Sequence, residues 1–355
     1  MLSSNLLKRE QKKDILWVNY LKALCILGVY FVHSNQYYGF NLSSINKFVH
    51  PFYVNAFFFI SGYLLFRKQL SAPLINQNVV CYALGGGRQL VSNIFWKLMI
   101  PTVLFSIIEF FPSHVIRGYE FGIGTFLYKT VGGCTYWFTA ALVVAELVIV
   151  CLLLTRARNI WFYLLSGCIA FFLGYYFVIN DFYLFKQYPS FPWHYQQGLF
   201  AIPFMCLGGV FWKYEKYVAK FLNFYILVGL IGVYTLCLCL WPNHFHMLIS
   251  TLNMNVLGIA ISILSILILI GICGHIPYSS LLNYIGQNTI GLYFMSGALP
   301  IILSLVMNRL FYAPNLIGFV IVFSVSFGIG LFAVFLMNRV IPWIFDLRLL
   351  FRSDR

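Results

Sequence analysis

The chain has 355 residues, 61% of them hydrophobic and only 9% charged, with a mean hydropathy of +0.85. A soluble domain carries about 25% charged residues, so a water-soluble globular fold is excluded and a polytopic, all-α membrane bundle is predicted. The formal net charge of +14 does not point to nucleic acid, because the basic residues flank apolar segments instead of sharing one soluble face.

A basic leader, Lys8 to Lys13, precedes the first apolar run, and no small-residue cleavage site follows it. Residues 1–15 therefore read as a cytoplasmic leader to an uncleaved first span. Ten spans are predicted, near 16–38, 52–66, 94–111, 136–155, 160–180, 196–212, 221–241, 250–273, 288–307 and 315–337. The second and sixth look short for a bilayer core of about 30 Å. The chain reads as one membrane domain over 1–355, with a cytoplasmic tail at 338–355. Lys and Arg crowd the leader, residues 67–97, Arg156 and Arg158, residues 213–220 and the tail, whereas Lys47, Arg117, Lys129, Lys186 and Arg309 lie in the other set of loops. That asymmetry predicts both termini inside.

The first span carries a polar stripe. Lys22 and His33 are close to three helical turns apart, and Asn19, Tyr30 and Tyr37 fall near the same face. Ionisable groups at membrane depth cost on the order of a few kcal/mol and usually face a bundle interior or a wet cavity. A neutral imidazole there can act as a general base towards an alcohol, or simply bond a neighbouring helix. Lys22 is either a site residue or a lysine whose stem snorkels to the headgroups.

In the second span, Ser61-Gly62 interrupts the aromatic run Phe57 to Leu65, either to let helices pack closely or to line a tunnel. Gly85-Gly86-Gly87 lacks the context of a phosphate loop and reads as a bend. Glu109, near the outer end of the third span, reads as interfacial. Glu146 is a mid-span carboxylate expected to find a partner on another helix. The nine cysteines are scattered as small apolar filler. His244 and His246 lack a third ligand, so no metal is expected.

At this point the order of residues resembles a known family. Asp14 to Asn35 followed by Phe57 to Phe66 resembles the opening of the acyltransferase-3 family of integral-membrane transferases, with Lys22, ten intervening residues, His33, and then Phe58-Phe59-Ile60-Ser61-Gly62. Lys97 to Pro101, Tyr136-Trp137-Phe138, the stretch 195–209, and Tyr284 to Thr289 with Leu292-Tyr293 match later family elements in order. Three departures stand out: Asn19 replaces the usual aspartate, Lys22 stands where arginine is commoner, and Ser296 stands where a histidine often closes the last element. The resemblance implies transfer of an acetyl group from acetyl-coenzyme A to a hydroxyl of a cell-surface or lipid-linked saccharide, without a bound cofactor, at a bacterial cytoplasmic membrane. It implies His33 as catalytic base and Lys22 as a partner of the donor or acyl group. Asn19, Tyr30, Tyr37, Ser61, Lys97 and Glu146 are candidate substrate or donor contacts, and Arg67, Lys68 and Arg88 could meet coenzyme A phosphates. The partners expected are an acyl-coenzyme A, a glycan acceptor and membrane lipid. A transporter or flippase of a lipid-linked sugar is the alternative from a different class.

Overall fold

The computed structural model describes residues 15–70, 83–117, 122–155, 159–179, 192–240, 247–249, 252–311 and 313–352. Among them the chain is helical apart from one short antiparallel pair, Met247–Leu248 against Asn253–Met254. The helices are α1 (Leu16–Tyr38), α2 (Ser43–Val49), α3 (Asn55–Leu70), α4 (Arg88–Ile94), α5 (Ile100–Arg117), α6 (Ile123–Thr130), α7 (Trp137–Leu154), α8 (Ile160–Ile179), α9 (Tyr195–Phe221), α10 (Phe224–Leu240), α11 (Val256–His275), α12 (Ser280–Gln287), α13 (Thr289–Met295), α14 (Ala298–Leu310) and α15 (Leu316–Val340).

Each of the ten predicted spans coincides with a helix or a joined pair of helices. By length and composition, however, six described stretches can cross a membrane, or eight if the bent pairs α9–α10 (with residues 192–194) and α13–α14 each count as one span. The bends are 106° and 41°. The second span is short as expected: α3 has 16 residues, about 24 Å at 1.5 Å per residue. The sixth is not short, because α9 continues to Phe221 through the basic stretch 213–220. A helix need not end where the apolar run ends, since its backbone bonds are internal.

The third span also departs from expectation. Gly85-Gly86-Gly87 is no bend: Ala83–Gly87 is a π-helical turn leading directly into α4, and a second π-helical turn, Phe95–Met99, joins α4 to α5. Gly86 and Gly87 are buried. π-Turns insert one residue into a helix without breaking it, and they often mark functional sites.

Small residues set the helix spacing. α3 and α9 pack closely: a Cβ on Gly62 would overlap the Met205 backbone and one on Gly208 would overlap the Phe59 backbone. In lipid there is little hydrophobic drive between helices, so such close approach is what makes packing favourable. The lone Ser-Gly of the second span is therefore a packing element. α1 is the most buried of the long helices and packs against α3 and α11 to α15. The outer face of α8, with Trp161, Leu165 and Phe172 exposed, is apolar, as a lipid-facing surface must be.

Side-chain pairs define two ends of the bundle. At one end Trp17 bonds Glu215, Asn19 bonds Asn283, Asn338 bonds Asn288, and Arg348 bonds Asn93. At the other, His33 meets Ser296, Tyr234 bonds the Phe48 carbonyl, and the Asn315 N–H reaches the Tyr38 hydroxyl. Trp17, near the start of the described chain, and Arg348, near its end, both belong to the first of these groups.

Candidate active site

The site grows from a helix break. Between α13 and α14 the chain passes through Ser296-Gly297, and the residue four positions after Ser296 is Pro300. Proline has no N–H, so the Ser296 carbonyl has no helical donor. The break is tightened locally: the Ser296 N–H bonds the Tyr293 carbonyl at 3.0 Å, three residues back, and its hydroxyl bonds the same carbonyl at 2.7 Å. Carbonyls at this break are then met by side chains from other segments of the chain. Tyr30 donates to Leu292 at 3.0 Å, Tyr136 donates to Phe294 at 3.0 Å, and His33 Nδ1 lies 2.8 Å from the Ser296 oxygen.

That last bond fixes the imidazole. A carbonyl oxygen can only accept, so Nδ1 carries the hydrogen and Nε2 keeps the basic lone pair. His33 therefore has the tautomer a general base requires, held by backbone rather than by a mobile side chain.

His33 lines a cavity of about 440 Å³ at its end of the bundle, within the range of small-molecule sites. Aromatic walls come from Tyr37, Trp137, Phe138 and Tyr293, and polar ones from Gln36, Glu109, Lys129 and Thr135. The His33 and Tyr37 rings lie 5.8 Å apart. One wall, Cys134 to Tyr136, is braced from behind, where the Trp193 N–H bonds the Gly132 carbonyl at 2.7 Å. Trp193 and His194 hold left-handed backbone (φ 56° and 46°) to do so, a strain of the kind that collects beside functional sites.

Of the candidate catalytic and substrate-contact residues named from sequence, the structure brings His33 and Tyr37 together and leaves Lys22, Asn19, Tyr30, Ser61, Lys97 and Glu146 elsewhere. Lys22 is on the same helix, about 16 Å down the axis at 1.5 Å per residue, and does not line this cavity. Asn19 is buried and donates to Asn283 Oδ1 at 2.7 Å, tying α1 to α12. Its amide does what the family's carboxylate could not do with the same partner unless that amide turned. Tyr30 is fully buried and holds the α13 carbonyl. Ser61 sits at the α3–α9 crossing. Lys97 Nζ is 3.8 Å from Asp346 Oδ2, facing the C-terminal segment. Glu146 is half-buried on α7 and has no hydrogen-bond or ion partner among the described residues, contrary to the partner expected for it.

Four features, two at the cavity and two away from it, were not read from sequence. Glu109 reads as interfacial, yet its carboxyl enters the His33 cavity beside the Tyr136 hydroxyl. The Ser296 carbonyl was hidden behind a side chain that departs from the family pattern, although Pro300 is a visible signal. At the opposite end, Glu215 accepts from Trp17 Nε1 at 3.2 Å and from the Tyr63 hydroxyl at 2.8 Å, with Arg67 next to Tyr63. Beyond the last span, the Arg348 guanidinium grips Asp346 with two bonds of 2.8 Å and holds its carboxyl below the usual carboxylate range.

No group of three metal-ligating side chains occurs among the described residues, and His244 and His246 lie outside them. Residues 15–337 match the family described as an acyltransferase domain, nearly the whole chain. No curated protein and no solved structure matches it.

Proposed function

The chain belongs to the acyltransferase-3 family, and we propose from that premise that it is an O-acetyltransferase, moving an acetyl group from acetyl-coenzyme A to a hydroxyl of a cell-surface or lipid-linked saccharide. It works as a multi-pass protein of a bacterial cytoplasmic membrane, with the Lys22 end inside and the His33 end outside. The observation that carries this reading is the bond from His33 Nδ1 to the Ser296 carbonyl at the cavity wall, which leaves Nε2 as the base.

In the reaction, the acceptor hydroxyl gives its proton to Nε2 as its oxygen attacks the thioester carbonyl. A C–O bond forms, the C–S bond breaks, and the departing coenzyme A thiolate recovers the proton. The products are an acetyl ester and free coenzyme A. The donor enters from the opposite end, where Lys22 and Arg67 lie and positive charge suits its phosphates. Its long pantetheine arm lets the thioester reach towards His33. The cavity contributes by holding both reactants in one orientation, a source of large effective molarity.

Mass spectrometry of the surface glycan, with and without the gene, tests the proposal. A loss of one acetyl mass per acceptor unit on deletion supports it. An unchanged mass together with a loss of exported glycan favours a transporter.

A further inference from the structure

We infer that Glu109 selects the acceptor, accepting a hydrogen bond from a hydroxyl next to the one that is acylated, so that the cavity favours a vicinal diol over a lone alcohol. The inference rests on the acyl-transfer reading above and goes beyond it by assigning acceptor recognition to one residue.

Placement carries the argument. Glu109 belongs to α5, whereas His33 belongs to α1, yet both line one cavity, and among the described residues Glu109 is the one carboxylate that lines it. Glu109 Oε1 lies 3.8 Å from where a Cβ on Gly297 would stand. Gly297 follows Ser296, whose carbonyl orients His33. The carboxylate and the imidazole therefore border the same two-residue segment, on the wall of one cavity.

Chemistry then narrows the occupant. An ionised carboxylate only accepts, so it calls for donors, and Lys129 on the same cavity wall only donates. Together they complement a pair of hydroxyls, each of which can give one hydrogen and take another. Tyr37, Phe138 and Tyr293 offer flat faces for the C–H side of a ring. A vicinal diol can meet the carboxylate and the imidazole at once, whereas a single alcohol reaches only one of them, so the diol gains one further charge-assisted bond.

Full-length protein in lipid vesicles, given radiolabelled acetyl-coenzyme A, is offered either a panel of methyl hexosides or cyclohexanol. Wild type should prefer a hexoside in kcat/KM. Glu109→Gln should reduce that preference by roughly ten- to a hundred-fold, the range expected for losing one charge-assisted bond, chiefly through the hexoside KM and with the acetyl-coenzyme A KM unchanged. Glu109→Asp, which keeps the charge but draws it back, should fall between the two. If either variant is active and keeps the wild-type preference ratio, or if both acceptors weaken in equal proportion, Glu109 is structural and the inference is overturned. If wild type labels neither acceptor, the acyl-transfer reading itself fails and this inference falls with it.

Discussion

Pro300 and His33 are linked through a single carbonyl. Because Pro300 cannot donate to Ser296, the Ser296 oxygen is open to His33 Nδ1 at 2.8 Å. Pro300→Ala restores a competing backbone N–H. The imidazole should then lose its fixed tautomer and position, lowering kcat by about ten- to a hundred-fold, since displacement on the order of 1 Å costs that much. Donor KM should hold. Steady-state label transfer measures both, and an unchanged kcat would mean the carbonyl does not position His33.

Helix spacing gives a second prediction. Gly62→Ala or Gly208→Ala places a methyl into the backbone of the opposing helix. Overpacking of this kind costs about 1–3 kcal/mol, and detergent-solubilised protein should melt several degrees lower. Gly229→Ala and Gly232→Ala meet nothing within 4 Å and should leave Tm unchanged. Equal melting of all four variants would remove the packing account of the Ser-Gly element.

The C-terminal segment should respond to acid. Asp346 is held below the ordinary carboxylate range first by its bonds to Arg348 and further by Lys97. A depressed folded-state pKa contributes stability that is complete above the unfolded value, about 4, and is lost as pH falls through the lower folded value. A spin label on the exposed Leu349 should stay ordered from pH 7 to about 4 and loosen only below that. Loosening between pH 5 and 7 would point to another group. Asp346→Asn should loosen it at every pH.

Much of this was legible in the chain. Each of the ten apolar runs falls on a helix or a joined pair of helices, although six to eight of the described stretches are long and apolar enough to cross a membrane. His33 and Tyr37 were found because a period of 3.6 residues shows which side chains share a face. What periodicity cannot show is what stands opposite that face. Asn19, Tyr30 and Lys22 are on the stripe with His33, yet Asn19 binds α12 and Tyr30 binds α13. Glu109 comes to the cavity from a different helix, through a crossing that no local pattern encodes. The π-helical turns flanking α4 were missed for a related reason: glycine triplets signal bends in water, whereas in a membrane the backbone keeps its internal bonds.

Glu146 offers a negative test. It has no partner among the described residues and does not line the His33 cavity. Glu146→Gln removes a costly intramembrane carboxylate, so acetyl transfer should persist within about twofold and stability should hold or rise. A collapse of transfer would restore it to the site.

The central claim is that His33 is the base for acyl transfer. Purified wild-type protein and His33→Ala, each reconstituted in vesicles, should be compared for transfer of label from acetyl-coenzyme A to a saccharide acceptor. General-base catalysis contributes about 10²–10⁴-fold, and the variant should lose at least a hundredfold in rate while keeping its Tm. Transfer by His33→Ala at the wild-type rate would contradict the account.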